Sequence, residues 1–442
     1  MKTKIVLLAT LLATLGAYSQ KQWTLKECVN YALKNNISIK QNKLNLDVAE
    51  TNVKSAKGNF LPTLSASTSG SLGIGPVINQ ITNTRVGSTT SFGGSVGISA
   101  GYTVFNGFRN LNTKKQALLG IEQSQLDIQK IENDISLNVI NTYLNVLFAK
   151  ENLAVALVQA EISKKQIERA KAQFEAGAIP KGDLLNVEST AANDQQNVVL
   201  QENTLNLALL RLAQLLQVSS ENFDVTKIEI DSPSAALLYN SSKQVYEKAL
   251  FNMPEIKREK LNVQNSDLNI EIARSAYLPS LSLSAGTSSG YFYDLKTDIS
   301  QGGLFKQLEN QLRYSVGFNI NIPIFNGFKT DANVEQSRIN KSISELALEN
   351  QKLQLQQTIE QAFLDAKAAA KTYEAAQVSL EAQKEAFKNA QVSYDYGTMT
   401  QFDYDQVRNR LVNAEGAMIR AKYDYVFKTK VLKFYFGESI ID

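Results

Sequence analysis

The feature that most constrains the fold is a segment that occurs twice, in which an alternating strand pattern runs into the sequence Phe-Asn-Gly-Phe. Residues 91–110 read SFGGSVGISAGYTVFNGFRN, and residues 311–330 read QLRYSVGFNINIPIFNGFKT. In both, apolar side chains or glycine alternate with small polar ones, which is the period of a β-strand with one apolar and one polar face. The pattern suits a membrane-spanning barrel strand or a soluble antiparallel sheet with one wet face. Alternation alone favours the soluble sheet, because the barrel signal is weak in any single segment.

A long helical segment follows each strand. From 111 to 175 there is no proline and one glycine, Gly120, and Ile121, Ile128 and Ile135 repeat every seven residues. This spacing is typical of a coiled coil, and roughly 65 residues would form a helix of about 100 Å. Gly177 and Pro180 then predict a turn and a returning helix. The sequence therefore predicts one helical hairpin over 111–218 and a second over 331–437, with its turn at Gly397.

The two halves of the chain predict the same series of elements: helix, strand, strand, long helix, turn and helix. An initial helix over 23–57 corresponds to Val245–Ser275, and Leu61-Pro62 corresponds to Leu278-Pro279. We interpret this order as an internal duplication. The predicted parts are a first repeat over 20–218 with strands at about 63–73 and 91–105, a linker over 219–242 with a strand at 223–230, and a second repeat over 243–442 with strands at about 280–290 and 313–325. Polar loops are expected at 73–90 and through Gly302-Gly303.

The N-terminus predicts export from the cytoplasm. Lys2 and Lys4 precede an apolar run that ends in small residues at Ala17 and Ser19, the pattern of a secretory signal peptide over 1–19. No other stretch reaches 18 apolar residues, so no transmembrane helix is expected. Without those two lysines the formal charge falls from +3 to about +1, which gives no indication of nucleic-acid binding.

Composition excludes several kinds of site. The chain has no histidine and one cysteine, Cys28. The absence of histidine excludes Ser-His-Asp and Cys-His catalysis and the usual zinc sites, and one cysteine cannot form an intrachain disulfide. No catalytic, cofactor or metal site is predicted. Tyr291, Phe292 and Tyr293 are either an aromatic anchor at a membrane interface or ordinary loop residues.

The predicted strands constrain the assembly. Four strands per chain cannot close a membrane barrel, which needs at least about eight, and open strand edges cannot face lipid. Strands from three chains would give twelve and a plausible pore, whereas two chains would leave little lumen. The predicted fold class is an α+β membrane protein. A long α-helical coiled-coil barrel would continue from four β-strands per chain that complete a trimeric 12-stranded β-barrel.

The chain resembles the outer-membrane efflux protein (TolC-like) family over about residues 23–437. The resemblance rests on the order and spacing of the duplicated motifs, which are Ala32-Leu33 with Asn35-Asn36, Leu61-Pro62, Leu278-Pro279, the two Phe-Asn-Gly-Phe segments, Phe174 with Gly177 and Asp183-Leu184, and Tyr394 with Gly397 and Asp403. The family implies a trimeric channel in the outer membrane of a Gram-negative bacterium, in contact with its lipid and extended into the periplasm by helices. A periplasmic adaptor (membrane fusion) protein would dock on it and connect it to an inner-membrane transporter.

That family implies a passive exit duct of a tripartite efflux or type I secretion system, and not an enzyme. The alternative is a periplasmic coiled-coil adaptor or structural protein. An adaptor also has a helical hairpin, but it normally carries only one, flanked by β-domains, without duplicated alternating strands. A hydrolytic enzyme is a remote third interpretation.

The resemblance also assigns candidate site residues to the hairpin turns. Residues expected at the periplasmic tip that docks the adaptor are Gly177, Pro180, Asp183, Gly397, Thr400 and Asp403. The glycines could equally be ordinary helix caps, and Thr400 and Asp403 fit a T-x-x-D capping box.

A narrow point in the tunnel is the second candidate site, formed by Asp403, Asp405 and Gln406. Family members with a charged gate carry a second acid one turn after the first, where this chain has Gln406, and some have arginine where it has Met399. The sequence therefore supports a constriction and leaves a salt-bridged gate in doubt.

Overall fold

The computed structural model describes residues 22–79, 84–227, 239–295 and 303–440. The predicted signal peptide lies outside them. The described chain divides into two compact units. The helical unit contains the described residues up to Lys43, within Leu126–Lys257 and within Glu349–Asp442, and the sheet unit contains those within Leu44–Gln125 and Arg258–Leu348.

Both halves of the described chain contain two helices, two sheet strands, a long helix and a returning helix in that order, and the second half has an additional short helix between its two sheet strands. The helices are α1 (Leu25–Asn35), α2 (Ile37–Gly58), α3 (Arg109–Glu175), α4 (Lys181–Leu216), α5 (Ser242–Asn252), α6 (Pro254–Arg274), α7 (Leu304–Asn310), α8 (Lys329–Asp395) and α9 (Gln401–Phe436). The strands are β1 (Gln22–Trp23), β2 (Thr63–Asn79), β3 (Thr84–Asn106), β4 (Asp224–Val225), β5 (Ser280–Asp294) and β6 (Arg313–Asn321). Helices α3 and α8 each have 67 residues, and α4 and α9 each have 36, so the two hairpins have matched arms.

The sheet unit contains an antiparallel sheet in the order β2-β3-β5-β6. Its register places like residues opposite one another: Ala66 faces Ile98, and Ser65 faces Ser99. The hydroxyls of Ser65 and Ser99 lie 3.0 Å apart. Because side chains alternate across a strand, one face is apolar and the other is lined mainly by serine and glycine. The two faces therefore have the chemistry that the alternation predicts.

Strand bounds differ from the predicted ones at both ends of the sheet. Residues 73–90 were expected to form a loop, but β2 continues to Asn79 and β3 begins at Thr84. Ile74 and the β-branched residues near it favour an extended chain over a turn. Strand β6 ends at Asn321 and not at 325, because Pro323 has no N–H to donate to a strand ladder.

Each predicted initial helix is broken once. Asn36 separates α1 from α2, and its Oδ1 accepts a hydrogen bond from the backbone N–H of Ser38 at 2.8 Å. This side chain caps the new helix, as asparagine commonly does. Met253 separates α5 from α6, and Pro254 begins the second helix, a position that tolerates proline. Another expected loop contains α7, which follows Gly303.

The core of the helical unit lies around the middle of α3. Tyr143, Ile140 and Leu147 are fully buried there against Leu212 and Leu216 of α4. Apolar side chains at helical spacing on both arms of the hairpin explain this packing.

Tyr143 also fixes the small parallel pair formed by β1 and β4. Its hydroxyl donates to the carbonyl oxygen of Thr226 at 2.7 Å and lies 3.1 Å from that of Trp23. Burial raises the pKa of Tyr143 to about 12. Trp23 was expected in the first helix, but it pairs with Val225 in this sheet. The strand expected over 223–230 is present only as β4, and its last three residues lie outside the described chain.

Candidate functional site

The two hairpin turns have the same backbone geometry. Gly177 has φ +72° and Gly397 has φ +73°, in the left-handed region that favours glycine. After α3, the N–H of Ala178 bonds to the carbonyl of Gln173 at 2.8 Å, and after α8 the N–H of Thr398 bonds to that of Ser393 at 2.9 Å. These are Schellman caps, so the alternative interpretation of the glycines as helix caps is confirmed. A role in docking remains a prediction.

The returning helices start differently. Pro180 stands at the N-cap of α4, one residue before the first turn, and makes no side-chain capping bond there. Thr400 caps α9: its Oγ1 accepts from the backbone N–H of Asp403 at 3.2 Å and donates to Asp403 Oδ2 at 2.7 Å. Asp183 and Asp403 both lie in a first helical turn, where the helix dipole stabilises a negative charge.

The ends of the two long helices meet through Arg169 and Asp395, which the sequence did not single out. Arg169 of α3 forms an ion pair with Asp395 of α8 and lies 4.9 Å from the ring centre of Tyr394. Tyr394 stacks on Tyr404 of α9, with ring centres 4.8 Å apart. Burial raises the pKa of both tyrosines. These contacts join α3, α8 and α9 close to the second hairpin turn, within the helical unit.

The three predicted constriction residues occupy different environments. Asp403 and Gln406 are exposed, whereas Asp405 is half-buried and accepts a hydrogen bond from Gln401 at 3.0 Å. Adjacent positions on a helix point about 100° apart, which separates Asp405 from Gln406. Asp403 and Gln406 are both exposed and three residues apart, so they lie on the same face of α9.

A buried ionic network lies further along the same helices. Arg408 of α9 donates from Nη1 to Ser163 of α3 at 2.6 Å and from Nη2 to Asp194 of α4 at 2.9 Å. Ser163 also donates to Asp194. Arg408 is only 2% exposed, so its buried charge needs the opposite charge of Asp194 to stabilise it. No local motif reveals the network, because its members are far apart in the sequence.

Glu415 extends this polar contact between α3 and α9. The carboxyl is half-buried, and its Oε2 has no hydrogen-bond partner among the described residues. Burial raises the pKa of Glu415, while the positive charge of Lys384 and a hydrogen bond from Gln159 oppose that increase. The contact between α3 and α9 therefore contains buried polar groups, although packed helices usually meet through apolar side chains.

Aromatic pairs lie at both ends of the sheet. At the end that leads into the long helices, Phe105 packs edge-on against Phe108 at 5.2 Å, and Phe325 packs on Phe328 at 5.5 Å. At the other end, Tyr291 of β5 lies 5.7 Å from Phe92 of β3. Tyr291, Phe292 and Tyr293 are strand residues, so their interpretation as loop residues is wrong.

The sheet and the two hairpins define a class of protein. An antiparallel sheet with one apolar face, bounded by aromatic residues at both ends, is typical of outer-membrane strands. No helix in the described parts of the chain is both long and apolar enough to cross a bilayer. The described residues also contain no group of three or more acidic or cysteine side chains that could hold a metal ion.

The chain belongs to the outer membrane efflux protein family. The family's sequence model matches residues 28–217 and 245–438, in two segments that together span most of the chain. Outer membrane efflux protein BepC of Brucella suis biovar 1 is 23% identical over 435 residues, covering 97% of this chain and 88% of BepC. Outer membrane protein TolC of Escherichia coli K12 is 23% identical over 369 residues, covering 76% of this chain and 73% of TolC.

The fold is that of solved outer-membrane channels. The crystal structure of the Campylobacter jejuni CmeC outer membrane channel matches with a TM-score of 0.77 at 22% identity, covering 93% of this chain and 85% of CmeC. Family membership confirms the predicted resemblance, the outer-membrane location and the efflux function. It also sets aside the interpretation of the chain as an adaptor.

Proposed function

We propose that three copies of this chain form a passive exit channel through the outer membrane. The observation that carries the proposal is that, in the described chain, β2 and β6 are the outer strands of a four-stranded sheet. Their free edges would be costly in lipid, where backbone groups must be paired internally. Pairing β6 of one copy with β2 of the next satisfies both edges, and three copies give twelve strands.

The chemistry of the sheet assigns its two faces. Side chains such as Val316 and Phe318, both largely exposed in the single chain, would face lipid. The opposite face, which carries Ser65, Ser99 and Ser284, would line a water-filled lumen. Small neutral side chains leave the lumen wide and impose little charge selectivity within the barrel.

An internal duplication accounts for this architecture. The proposed repeats are 20–218 and 243–442, joined by a linker over 219–242. The matched lengths of the helices and the two-segment family match support this division. Two equivalent hairpins per chain would give a trimer six hairpins, which can form a helical barrel in the periplasm.

The hairpin turns are the proposed docking site for a periplasmic adaptor, through which an inner-membrane transporter would be engaged indirectly. Exposed residues at the turns, among them Gly177 and Asp183 on one and Gly397 and Thr400 on the other, are available for contact. The name of BepC, an efflux protein, agrees with export. Type I secretion is the other system that such a duct would serve.

Asp403 is the proposed centre of a constriction. Three copies would form an acidic ring that favours cations, with Gln406 on the same helix face. Asp405 is bound to Gln401 and would support the ring from the side. Because Gln406 carries no charge, the ring would have one acid per chain.

The test is the oligomer mass in detergent followed by conductance in planar bilayers. We expect a trimer with a small conductance, and we expect Asp403→Asn to lower its cation selectivity. Asp134→Asn is the matched control, since this exposed acid already pairs with Lys130. A water-soluble monomer without conductance would overturn the proposed function. A conducting trimer with unchanged selectivity in Asp403→Asn would overturn only the acidic ring.

A further inference from the structure

The two strands at one edge of the sheet differ in length. We call the end of the sheet at Asn321, which leads into the long helices, its inner end, and the opposite end its outer end. Strand β5 has 15 residues, but β6 has nine and pairs only with the part of β5 from Ser280 to Ser288. Beyond Ser288 the position that β6 would occupy is taken by helix α7. The outer part of this edge is therefore built from a helix and not from a strand.

Helix α7 is attached to the edge of β5 by specific bonds. The backbone N–H of Phe292 donates to the side-chain Oε1 of Gln307 at 2.9 Å, and the hydroxyl of Ser289 donates to the carbonyl of Leu308 at 2.6 Å. Gln307 is only 3% exposed. Its amide oxygen thus takes the place of the backbone acceptor that a further strand would have supplied.

The strand at the opposite edge of the sheet, β2, is longer than the β6 strand that it would meet in a neighbouring copy. Strand β2 has 17 residues, eight more than β6 can pair with. If Asn321 at the inner end of β6 meets Thr63 of a neighbouring copy, antiparallel pairing brings Arg313 opposite Ser71. The rest of that β2, from Leu72 outward, then lies at the level of α7.

Apolar side chains are exposed on both of these surfaces. Phe305 of α7 is 84% exposed, and Leu72 and Ile74 of β2 are 62% and 79% exposed. Outside the hydrocarbon layer, where these surfaces would otherwise face water, burying such side chains against each other is favourable, at about 25 cal/mol per Å² of apolar surface. A second copy of this chain supplies both the apolar contact and the strand that continues it.

We propose that α7 of one copy packs against the outer part of β2 of the next, with Phe305 placed against Leu72 and Ile74. Each junction between copies then has two parts: strand pairing in its inner half and a helix held by side chains in its outer half. The proposal rests on the proposed trimer. It names the contact that closes the outer half of each junction.

Cross-linking of paired cysteines tests both halves separately. The outer pair is Phe305→Cys with Ile74→Cys, and the inner pair is Ile320→Cys with Leu64→Cys. A short bifunctional maleimide is added to membranes that contain the full-length protein, and the products are separated under denaturing conditions. The native Cys28 is fully buried and stays in place, with the wild-type protein and each single variant as controls.

We expect covalent dimers and trimers from both pairs. A mismatched pair, Phe305→Cys with Leu64→Cys, should give none, because Leu64 lies at the inner end of β2. Cross-linking of the inner pair alone would overturn the role of α7 and leave the trimer standing. Failure of both pairs in a protein of monomeric mass would overturn the proposed function itself.

A substitution without cysteine gives a second measurement. Phe305→Asp should lower the temperature at which the detergent-purified trimer dissociates, because it puts a charge into the apolar contact. Tyr396→Asp changes an equally exposed aromatic residue at a hairpin turn and should leave that temperature unchanged. Equal dissociation temperatures for Phe305→Asp and the wild-type protein would overturn the proposed contact.

Discussion

The guanidinium of Arg408 lies within the helical unit with its Nη2 2.9 Å from Asp194 Oδ2, and this contact ties the last helix to the first hairpin. The side chain of Arg408 is 3% exposed and that of Asp194 is 20% exposed. A charge so deeply buried is tolerated because its Nη1 donates to Ser163 and its Nη2 donates to Asp194. Together with Ser163 the pair joins three helices, so it fixes how the arms of the two hairpins pack.

Removal of Asp194 should therefore destabilise the helical unit strongly. We expect Asp194→Asn to reduce the free energy of unfolding by about 3–5 kcal/mol, because the guanidinium stays buried without its partner. The measurement is the apparent Tm of the detergent-purified protein. Asp134→Asn is the control: its ion pair with Lys130 is 46% and 55% exposed and should contribute less than about 1 kcal/mol.

A double variant separates the charge from the packing. Arg408→Met combined with Asp194→Leu removes both charges, so no ion is left buried alone. We expect it to be more stable than either single substitution. A double variant whose losses simply add would contradict the coupling of the two residues.

Glu415 should make stability depend on pH. Burial raises the pKa of its carboxyl above the ordinary value of 4.5, so the folded state holds this proton more tightly than the unfolded state. Stability from this group is therefore present below pH 4.5 and is lost as the pH rises through the folded pKa. Glu415→Gln keeps the shape of the side chain and removes this loss.

The expected result is a variant with a higher apparent Tm than the wild-type protein at neutral pH, and with a difference that shrinks as the pH falls. Glu335→Gln, which changes an exposed acid, should show no such trend. A constant difference between Glu415→Gln and the wild-type protein at all pH values would contradict the assigned cause.

A glycine at a hairpin turn and a glycine inside a helix should respond differently to substitution by alanine. Gly397 has a positive φ, and alanine there should cost about 1 kcal/mol because its Cβ disfavours the left-handed region. Gly416 lies inside α9, and apart from the neighbouring backbone of that helix no atom of the described residues lies within 4 Å of an added Cβ. Gly416→Ala should therefore stabilise the helix by about 0.5–1 kcal/mol.

Binding of the purified adaptor distinguishes a docking turn from a simple cap. We expect Gly397→Ala to weaken adaptor binding in surface plasmon resonance, while Gly416→Ala leaves it unchanged. A loss of stability without any loss of adaptor affinity would restrict Gly397 to its role as a helix cap.

Patterns among neighbouring residues were sufficient to predict the strands and the hairpin turns. The alternation around Val96 and Val316 indicated strands because one face of each differs from the other, and Gly177 and Gly397 indicated turns because few other residues adopt their φ. Bounds were less accurate, since Pro323 ended β6 earlier than the alternation suggested. The seven-residue helix α7 has too few turns to show a helical period.

Contacts between distant segments could not be predicted in this way. Arg408, Ser163 and Asp194 look like ordinary helix residues, and their pairing follows from how three helices pack. The same holds for Arg169 and Asp395 at the hairpin ends. A single sequence records which faces are apolar, but the partners of a buried charge depend on the complete packing.

Gly94 should be essential for the sheet. A Cβ at this position would overlap the carbonyl oxygen of Ser69 on β2 and would lie 2.6 Å from the hydroxyl of Tyr291 on β5. We expect Gly94→Ala to abolish the trimer in membrane fractions, because the overlap with a backbone atom cannot be relieved by a side-chain rotation. Gly87→Ala is the matched control in the same strand, since no described atom beyond its two chain neighbours lies within 4 Å of a Cβ there. Adding Tyr291→Phe should not restore the trimer, and a restored trimer would show that the hydroxyl, and not the backbone of β2, excludes the methyl group.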